Sequence, residues 1–392
     1  MAQSELPMPS GPKTDRRVLL AALLAMFALL SVMVARNLTL QPAGVDFLCF
    51  WNGGRVALAE PSRLYDFQYL SERQGLSAAD GVLRPYINPP SALLLFAPLS
   101  KLPFMASYLT LMVLSLGVMA TAAARIRAPW WQVLLPTVAF AVFCGQLSPL
   151  IAGLVVLGLS FRERPSIAGL LFAIAASIKP QLLVLLPIAL AAQGQWRTIL
   201  FTGGWGLLIC TASAGLFGLQ AWIDWLAALP RFNRIVAEQG LLDTAITPYA
   251  KLTALGLNGA WAYLLAPAVL WGVWTAFRRD AVWPDQLIAL LGGALLISPY
   301  AMNYELALLA PAVAAYVARI KDRRWLAYAV AAAVYGLNIS AGALSLIAAL
   351  ILPVLGGDLQ FTSVFFGAGG GRGATRTPSS TSALTSVGDA SP

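Results

Sequence analysis

The chain has 392 residues, of which 59% are hydrophobic and only 11% are charged, and its mean hydropathy is +0.74. Because soluble chains carry about a quarter charged residues, this composition excludes a single water-soluble domain and indicates an all-α polytopic membrane protein. The formal net charge of +9 is spread between apolar segments without a basic stripe or a known reader motif, so it does not indicate a nucleic-acid partner.

Apolar segments of helical length recur along the chain, and we predict roughly 11–13 transmembrane helices. The predicted spans are 18–35, 103–124, 130–144, 148–161, 165–178, 180–193, 198–219, 253–276, 284–298, 304–319, 325–338 and 342–356. Several hold only ~14 residues, fewer than the ~17–25 of a full span, so we expect their ends to extend into adjoining loops. Residues 91–104 are too short and too Pro-broken to span, which predicts a re-entrant or interfacial element.

The positions of Lys and Arg predict how the spans are oriented. Both residue types cluster in short connections, and placing the N-terminus in the cytoplasm puts every such connection on that side. We therefore predict cytoplasmic tails at 1–17 and 357–392 around a transmembrane domain at 18–356, and the Gly, Ser and Thr content of the second tail predicts disorder. Two large loops, 36–102 and 220–252, then lie outside. Their aromatic residues suit interfacial helices: Phe47, Phe50, Trp51, Trp222 and Trp225.

A series of motifs then occurs in order along the chain. Asp46 follows the first span, and after it come ALAEPSRLYD at 57–66, YINPPSALLLFAPLSKLP at 86–103, GQLSPLIAGLVVLGL at 145–159, AGLLFAIAASIKPQLLVLLPIAL at 168–190 and SPYAMNYELALLAPA at 298–312. Together they resemble glycosyltransferase family 87, a bacterial family of multispanning enzymes with the GT-C architecture that includes polyprenyl-phosphomannose-dependent mannosyltransferases.

This resemblance implies an enzyme of the plasma (inner) membrane whose active site faces the periplasm or exterior. Its partners would be membrane lipid, a polyprenyl-phosphate sugar as donor, and a lipid or glycan acceptor that receives a mannose-like hexose. The polyprenyl-phosphate sugar is a co-substrate, and no cofactor is expected beside it. No metal is indicated either, because the chain has no histidine, only three scattered cysteines, and no Asp-rich pair with metal spacing.

Asp46 is the candidate general base. Inverting transfer from a phospho-sugar needs one carboxylate to take the proton of the acceptor hydroxyl, whereas the phosphate leaves as a stable anion without a second acid. The resemblance supports the same residue, since the family's catalytic Asp lies just beyond the first span. The alternative is that Asp46 only N-caps a helix that begins at Phe47.

Two basic residues, Lys179 and Arg84, are candidates to stabilise the leaving phosphate. Lys179 is a lone basic residue in an outer turn between two apolar runs, where a cation is costly unless an anion compensates it. The alternative for Lys179 is that its ammonium group extends to lipid head groups. Arg84 is a second candidate, because it lies beside Tyr86 and Asn88 in a segment that the family resemblance covers.

Polar and aromatic residues near the external helix ends are candidates to line a sugar site. They are Tyr86, Asn88, Gln146, Tyr300, Asn303, Tyr304 and Glu305. Glu305 is an acid at or just inside a span, which in a membrane is a functional hypothesis. Asn303 stands where some relatives use His or Asp, so it can hydrogen-bond a substrate but cannot act as a base. For Gln146 and Tyr304, capping and packing of helix ends is an equal alternative.

Two functions remain open at this level: the glycosyltransferase, and a transporter or flippase of a lipid-linked sugar or other amphiphile. A transporter is expected to hold its ionisable residues near the bilayer midplane, whereas this chain gathers its acids in outer loops, which favours the enzyme. For the enzyme we expect Asp46, Lys179 and the turn at 299–305 to converge on one outward-facing cavity that opens sideways to lipid.

Overall fold

The computed structural model describes residues 42–319, apart from 77–82, 129, 131–132, 134, 244 and 282. The predicted spans at 18–35, 325–338 and 342–356 and both predicted tails lie outside these residues. Throughout the described part every regular element is helical, which confirms the predicted all-α class.

The α-helices are α1 (Phe47–Ala59), α2 (Phe67–Glu72), α3 (Leu93–Leu99), α4 (Phe104–Arg125), α5 (Pro136–Cys144), α6 (Ser148–Ser160), α7 (Pro165–Ile178), α8 (Leu186–Ala192), α9 (Trp196–Phe217), α10 (Leu219–Glu238), α11 (Pro248–Ala254), α12 (Ala266–Arg278), α13 (Trp283–Ile297) and α14 (Ala310–Arg319). Short 3₁₀ segments at Pro61–Arg63, Pro90–Ala92, Pro180–Leu183, Gly259–Leu265 and Asn303–Leu309 introduce several of them.

Within residues 42–319, as far as the structure describes them, three helices are long and apolar enough to cross a membrane: α4, α9 and the continuous stretch Gly259–Arg278. On α9 the apolar side chains are largely uncovered; Leu200, Leu207 and Leu216 are 75%, 70% and 70% exposed. Such a surface is unfavourable in water and favourable against lipid tails. These helices support a polytopic membrane protein.

The shorter apolar helices do not lengthen into the loops as expected. α6 packs between α4 and α7, and all its residues from Ser148 to Leu159 are buried. Since protein rather than lipid surrounds α6, its length need not match the bilayer thickness. The predicted span at 253–276 also begins later, at Gly259, because Gly256 has a left-handed φ of +76° and Asn258 caps the backbone NH of Ala260 at 3.0 Å.

The external aromatic residues differ from the prediction. Phe47 and Phe50 are buried, and the Phe50 ring stacks on Phe96 at a centroid distance of 4.9 Å. Interfacial anchoring is therefore wrong for these two residues, which form part of the core. Trp222 and Trp225 make an edge-to-face pair at 5.7 Å on α10.

The close contact between α1 and α3 generates a stability prediction. A Cβ added at Gly54 would lie 2.5 Å from the carbonyl oxygen of Phe96 and 2.8 Å from its carbon, both of them backbone atoms. We expect Gly54→Ala to destabilise the protein by about 1–3 kcal/mol, measured as a lower Tm in detergent. In the control Gly203→Ala the added Cβ meets open space, so Tm should not fall; an equal fall in both variants would contradict this account.

Candidate functional site

The candidate site lies around Asp46. Here the segment just before α1 packs on the end of α5 and on the loop that follows it. The backbone NH of Asp46 donates to the carbonyl of Cys144 at 2.9 Å. The next residue, Gly145, has a φ of +80°, and a Cβ there would lie 2.4 Å from the Cβ of Phe47. Only glycine allows both this left-handed conformation and this approach. This packing places Gln146 directly against Asp46.

The side chain of Asp46 does not cap the helix that follows it. α1 begins at Phe47, as the alternative requires, but no backbone NH of the helix donates to the carboxylate. The Oδ2 atom of Asp46 instead accepts a hydrogen bond of 2.9 Å from Nε2 of Gln146. The capping interpretation is therefore wrong, and the half-buried carboxylate faces another part of the chain.

A chain of polar contacts extends from this pair. Oε1 of Gln146 accepts from Nζ of Lys179 at 3.2 Å, and the same Nζ forms an ion pair of 2.5 Å with Oε1 of Glu305. Oε2 of Glu305 accepts from Oγ of Ser148 at 2.8 Å. We call these five residues, Asp46, Gln146, Ser148, Lys179 and Glu305, the polar cluster.

Lys179 is not extended to lipid head groups. Its side chain is 11% exposed and that of Glu305 is 8% exposed. The predicted compensating anion therefore exists, but it is a carboxylate of the protein itself. The ring of Tyr304 completes this side of the cluster, with its centroid 5.6 Å from Nζ of Lys179.

The end of α7 is fixed by the segment that precedes α3. Nδ2 of Asn88 donates to the carbonyl of Ile178 at 2.9 Å, and Oγ of Ser91 donates to the carbonyl of Ser177 at 2.8 Å. The last carbonyls of a helix have no partner within the helix, and these two side chains supply one. Asn88 is buried and is thus placed to position Lys179 rather than to contact a substrate.

The charge state of Asp46 is set by opposing effects. Burial raises the pKa of Asp46 above its usual value. The hydrogen bond from Gln146 and the positive charges of Arg84 and Lys179 oppose this rise, whereas the negative charge of Glu305 adds to it. A carboxylate in these surroundings remains a base but binds its proton more tightly than an exposed Asp.

Three other predicted site residues, Arg84, Asn303 and Tyr300, lie outside the polar cluster. Arg84 lies beside the cluster and donates from Nη1 to the carbonyl of Val45 at 3.3 Å. Asn303 opens the 3₁₀ segment that carries Glu305, and Tyr300 packs on Phe232 at 5.3 Å.

Tyr86 lies in the core. It is fully buried and packs edge-on against Phe96, and a Cβ at Gly53 would lie 2.5 Å from its ring. Its hydroxyl has no hydrogen-bond partner in the part of the chain that the structure describes. This position does not suit the predicted contact with a sugar, because no face of the ring is accessible.

Sequence reasoning missed Ser148, which holds Glu305, and Ser91, which holds the end of α7. The one available signal for Ser148 was its place two residues after Gln146 in the GQLSP motif. Across the described residues, no three acidic or cysteine side chains come together in a way that suits a metal ion.

A cleft of about 630 Å³ lies elsewhere, between residues 62–68 and α10. None of the polar cluster lines it, so this cleft is not the cavity that the sequence predicts at Asp46.

Comparison with known proteins gives one match. The family model described as glycosyltransferase family 87 matches residues 86–299, which is more than half of the chain. No curated protein and no solved structure matches the chain.

The buried ion pair generates a prediction on stability. Glu305→Ala leaves the ammonium of Lys179 buried without its carboxylate, and we expect a loss of about 3–5 kcal/mol, measured by unfolding in detergent. The double variant Lys179→Met with Glu305→Leu removes both charges and should be less destabilised than Glu305→Ala alone. If the double variant lost as much stability as Lys179→Met alone and Glu305→Leu alone lose together, the pair would not be coupled as the structure indicates.

Proposed function

Because the chain belongs to glycosyltransferase family 87, it is a membrane glycosyltransferase, and we propose that it moves a mannose-like hexose from a polyprenyl phosphate to a lipid or glycan acceptor. The reaction takes place on the periplasmic face of the plasma membrane in this proposal. Its fold has the GT-C architecture, with both termini in the cytoplasm.

Asp46 is the general base of the proposed reaction. Its carboxylate takes the proton of an acceptor hydroxyl while the oxygen forms a bond to the anomeric carbon of the donor sugar. The bond from that carbon to the phosphate oxygen breaks, and polyprenyl phosphate leaves with the electron pair. Attack from the face opposite the phosphate inverts the anomeric centre, and the proton ends on Asp46.

The observation that carries this assignment is the direction of the Gln146 amide. Lys179 has no acceptor atom, so the amide oxygen of Gln146 must face Lys179 and the amide NH₂ must face Asp46. A donor held in this way favours the ionised carboxylate, which is the form that acts as a base. Asp46 also keeps part of its surface accessible, as a group that meets a substrate must.

The leaving phosphate is assigned to Arg84 rather than to Lys179. The charge of Lys179 is already balanced by Glu305 at 2.5 Å. The guanidinium of Arg84 is half-buried and lies close enough to Asp46 to lower its pKa. Among the described residues, no carboxylate lies within salt-bridge distance of this guanidinium. Its planar group suits two oxygens of a phosphate. Lys179 then serves as the fixed charge that orients Gln146.

A transporter or flippase of a lipid-linked sugar or other amphiphile is the second candidate. The observation that favours it is the buried ion pair of Lys179 and Glu305, because ionisable pairs among apolar helices are typical of transport pathways. Transport needs no base, so it would survive the loss of the Asp46 carboxylate.

Asp46→Asn tests the base directly. The variant keeps the side-chain shape and an oxygen that accepts from Gln146, so it should fold, but its transfer rate should fall by about 10²–10⁴-fold. Transfer is measured by supplying radiolabelled polyprenyl-phosphate sugars to membranes and identifying the labelled lipid or glycan. Glu163→Gln, an exposed acid on the predicted cytoplasmic side, is the control and should keep full activity. An unchanged transfer rate in Asp46→Asn would show that Asp46 is not the general base.

The raised pKa of Asp46 predicts the acid limb of the pH profile. A base must be ionised, so the rate falls as pH falls through the pKa of Asp46, and the limb should lie above the ~3.9 of an exposed Asp. Arg84→Gln removes a positive charge that lowers this pKa, so the limb should move to higher pH. A limb that stays in place, or moves to lower pH, would contradict the arrangement of charges around Asp46.

A further inference from the structure

The cleft between residues 62–68 and α10 has no role in the chemistry at Asp46. It is formed by the two loops that the sequence places outside the membrane, and its volume of about 630 Å³ falls within the range of ligand sites. The polar residues that line it are Ser62, Asp66, Gln68, Asp224, Arg231, Arg234 and Glu238.

One wall of the cleft is a charged stripe along α10. Asp224, Arg231, Arg234 and Glu238 recur at spacings of seven, three and four residues, which puts them on one face of the helix. Arg231, Arg234 and Glu238 are exposed. No ion pair joins Arg234 and Glu238, although both line the same cleft four residues apart. Their charged groups are thus available to a ligand.

Both walls of the cleft are bonded to the same short segment. The hydroxyl of Tyr65, on the loop wall, donates to the carbonyl of Asn88 at 2.9 Å, and the indole NH of Trp225, on α10, donates to the carbonyl of Ile87 at 2.9 Å. Asn88 in turn holds the carbonyl of Ile178, next to Lys179. Residues 87 and 88 therefore contact both walls of the cleft and also the end of α7, directly before Lys179.

The charges of the lining select the kind of ligand. Three carboxyl groups and two guanidinium groups line the cleft, and one of the carboxylates, Asp66, also pairs with Arg63 at 3.1 Å. The charges therefore nearly balance, which suits an uncharged ligand better than a phosphate or a nucleotide. Carboxylates accept and guanidinium groups donate, and their alternation around one cleft suits a ligand whose hydroxyls do both.

We propose that this cleft binds the uncharged, hydroxyl-rich glycan part of the acceptor that does not react. The inference rests on the proposed function, because it places this part of the acceptor beside the segment that borders the catalytic cluster. Binding energy from a remote part of a substrate holds the reacting hydroxyl in place, so a glycan acceptor would be preferred over a short lipid acceptor.

The test uses the full chain purified in detergent and three uncharged tetrasaccharides, of mannose, glucose and galactose, titrated by calorimetry. At least one should bind with a saturable isotherm. The double variant Arg234→Ala with Glu238→Ala should weaken that binding by about tenfold or more, and it should raise the KM for the glycan acceptor with little change in kcat. Asn233→Ala, an exposed change on the same helix outside the lining, is the matched control and should bind as the wild type does.

Three results would overturn the inference: no saturable binding of any tetrasaccharide to the wild type, equal affinity in the double variant, or displacement of the tetrasaccharide by inorganic phosphate. Failure of the proposed function is read separately, from Asp46→Asn. This variant should bind the tetrasaccharide with wild-type affinity while its transfer rate falls by about 10²–10⁴-fold. If it still transfers sugar while the cleft variant loses binding, the base assignment fails and the cleft remains a glycan site.

Discussion

The site depends on the position of one cation, Lys179. Its ammonium group contacts Gln146 and Glu305 and lies over the ring of Tyr304, so it is almost removed from solvent. A charge in such a place is costly unless it is paired, and the pairing brings distant parts of the chain together. Because an ammonium can only donate, its contact also fixes the direction of the Gln146 amide, and through it the donor that faces Asp46.

In the proposed reaction, this arrangement meets two opposed requirements on the base. A base needs to be desolvated enough to hold a proton firmly, yet ionised enough to accept it. Burial raises the pKa of Asp46, whereas the hydrogen bond from Gln146 and two nearby cations counteract this rise. Glu305 then balances Lys179, so that the cluster does not carry excess positive charge. The end of α7, directly before Lys179, is held by a hydrogen bond from Asn88 to the carbonyl of Ile178.

The sequence predicted the helical class and most helix positions, because apolar periodicity and Pro or Gly at the ends are local signals. It also selected Asp46, Gln146, Lys179 and Glu305 one at a time. We expected Asp46, Lys179 and the turn at 299–305 to converge, but the sequence did not predict the individual contacts. These contacts join residues 100, 33 and 126 positions apart and arise from helix packing. Tyr86 was misplaced because only the tertiary structure reveals that its ring packs on a glycine of α1.

Chemical rescue tests the central claim most directly. In Asp46→Ala the side chain that we assign as the base is replaced by a space beside Gln146, which a small carboxylate could occupy. We expect formate to restore transfer in a saturable manner, while chloride at the same ionic strength does not, because only formate can take the proton. Full activity of Asp46→Ala without formate would show that the carboxylate of Asp46 is not the base.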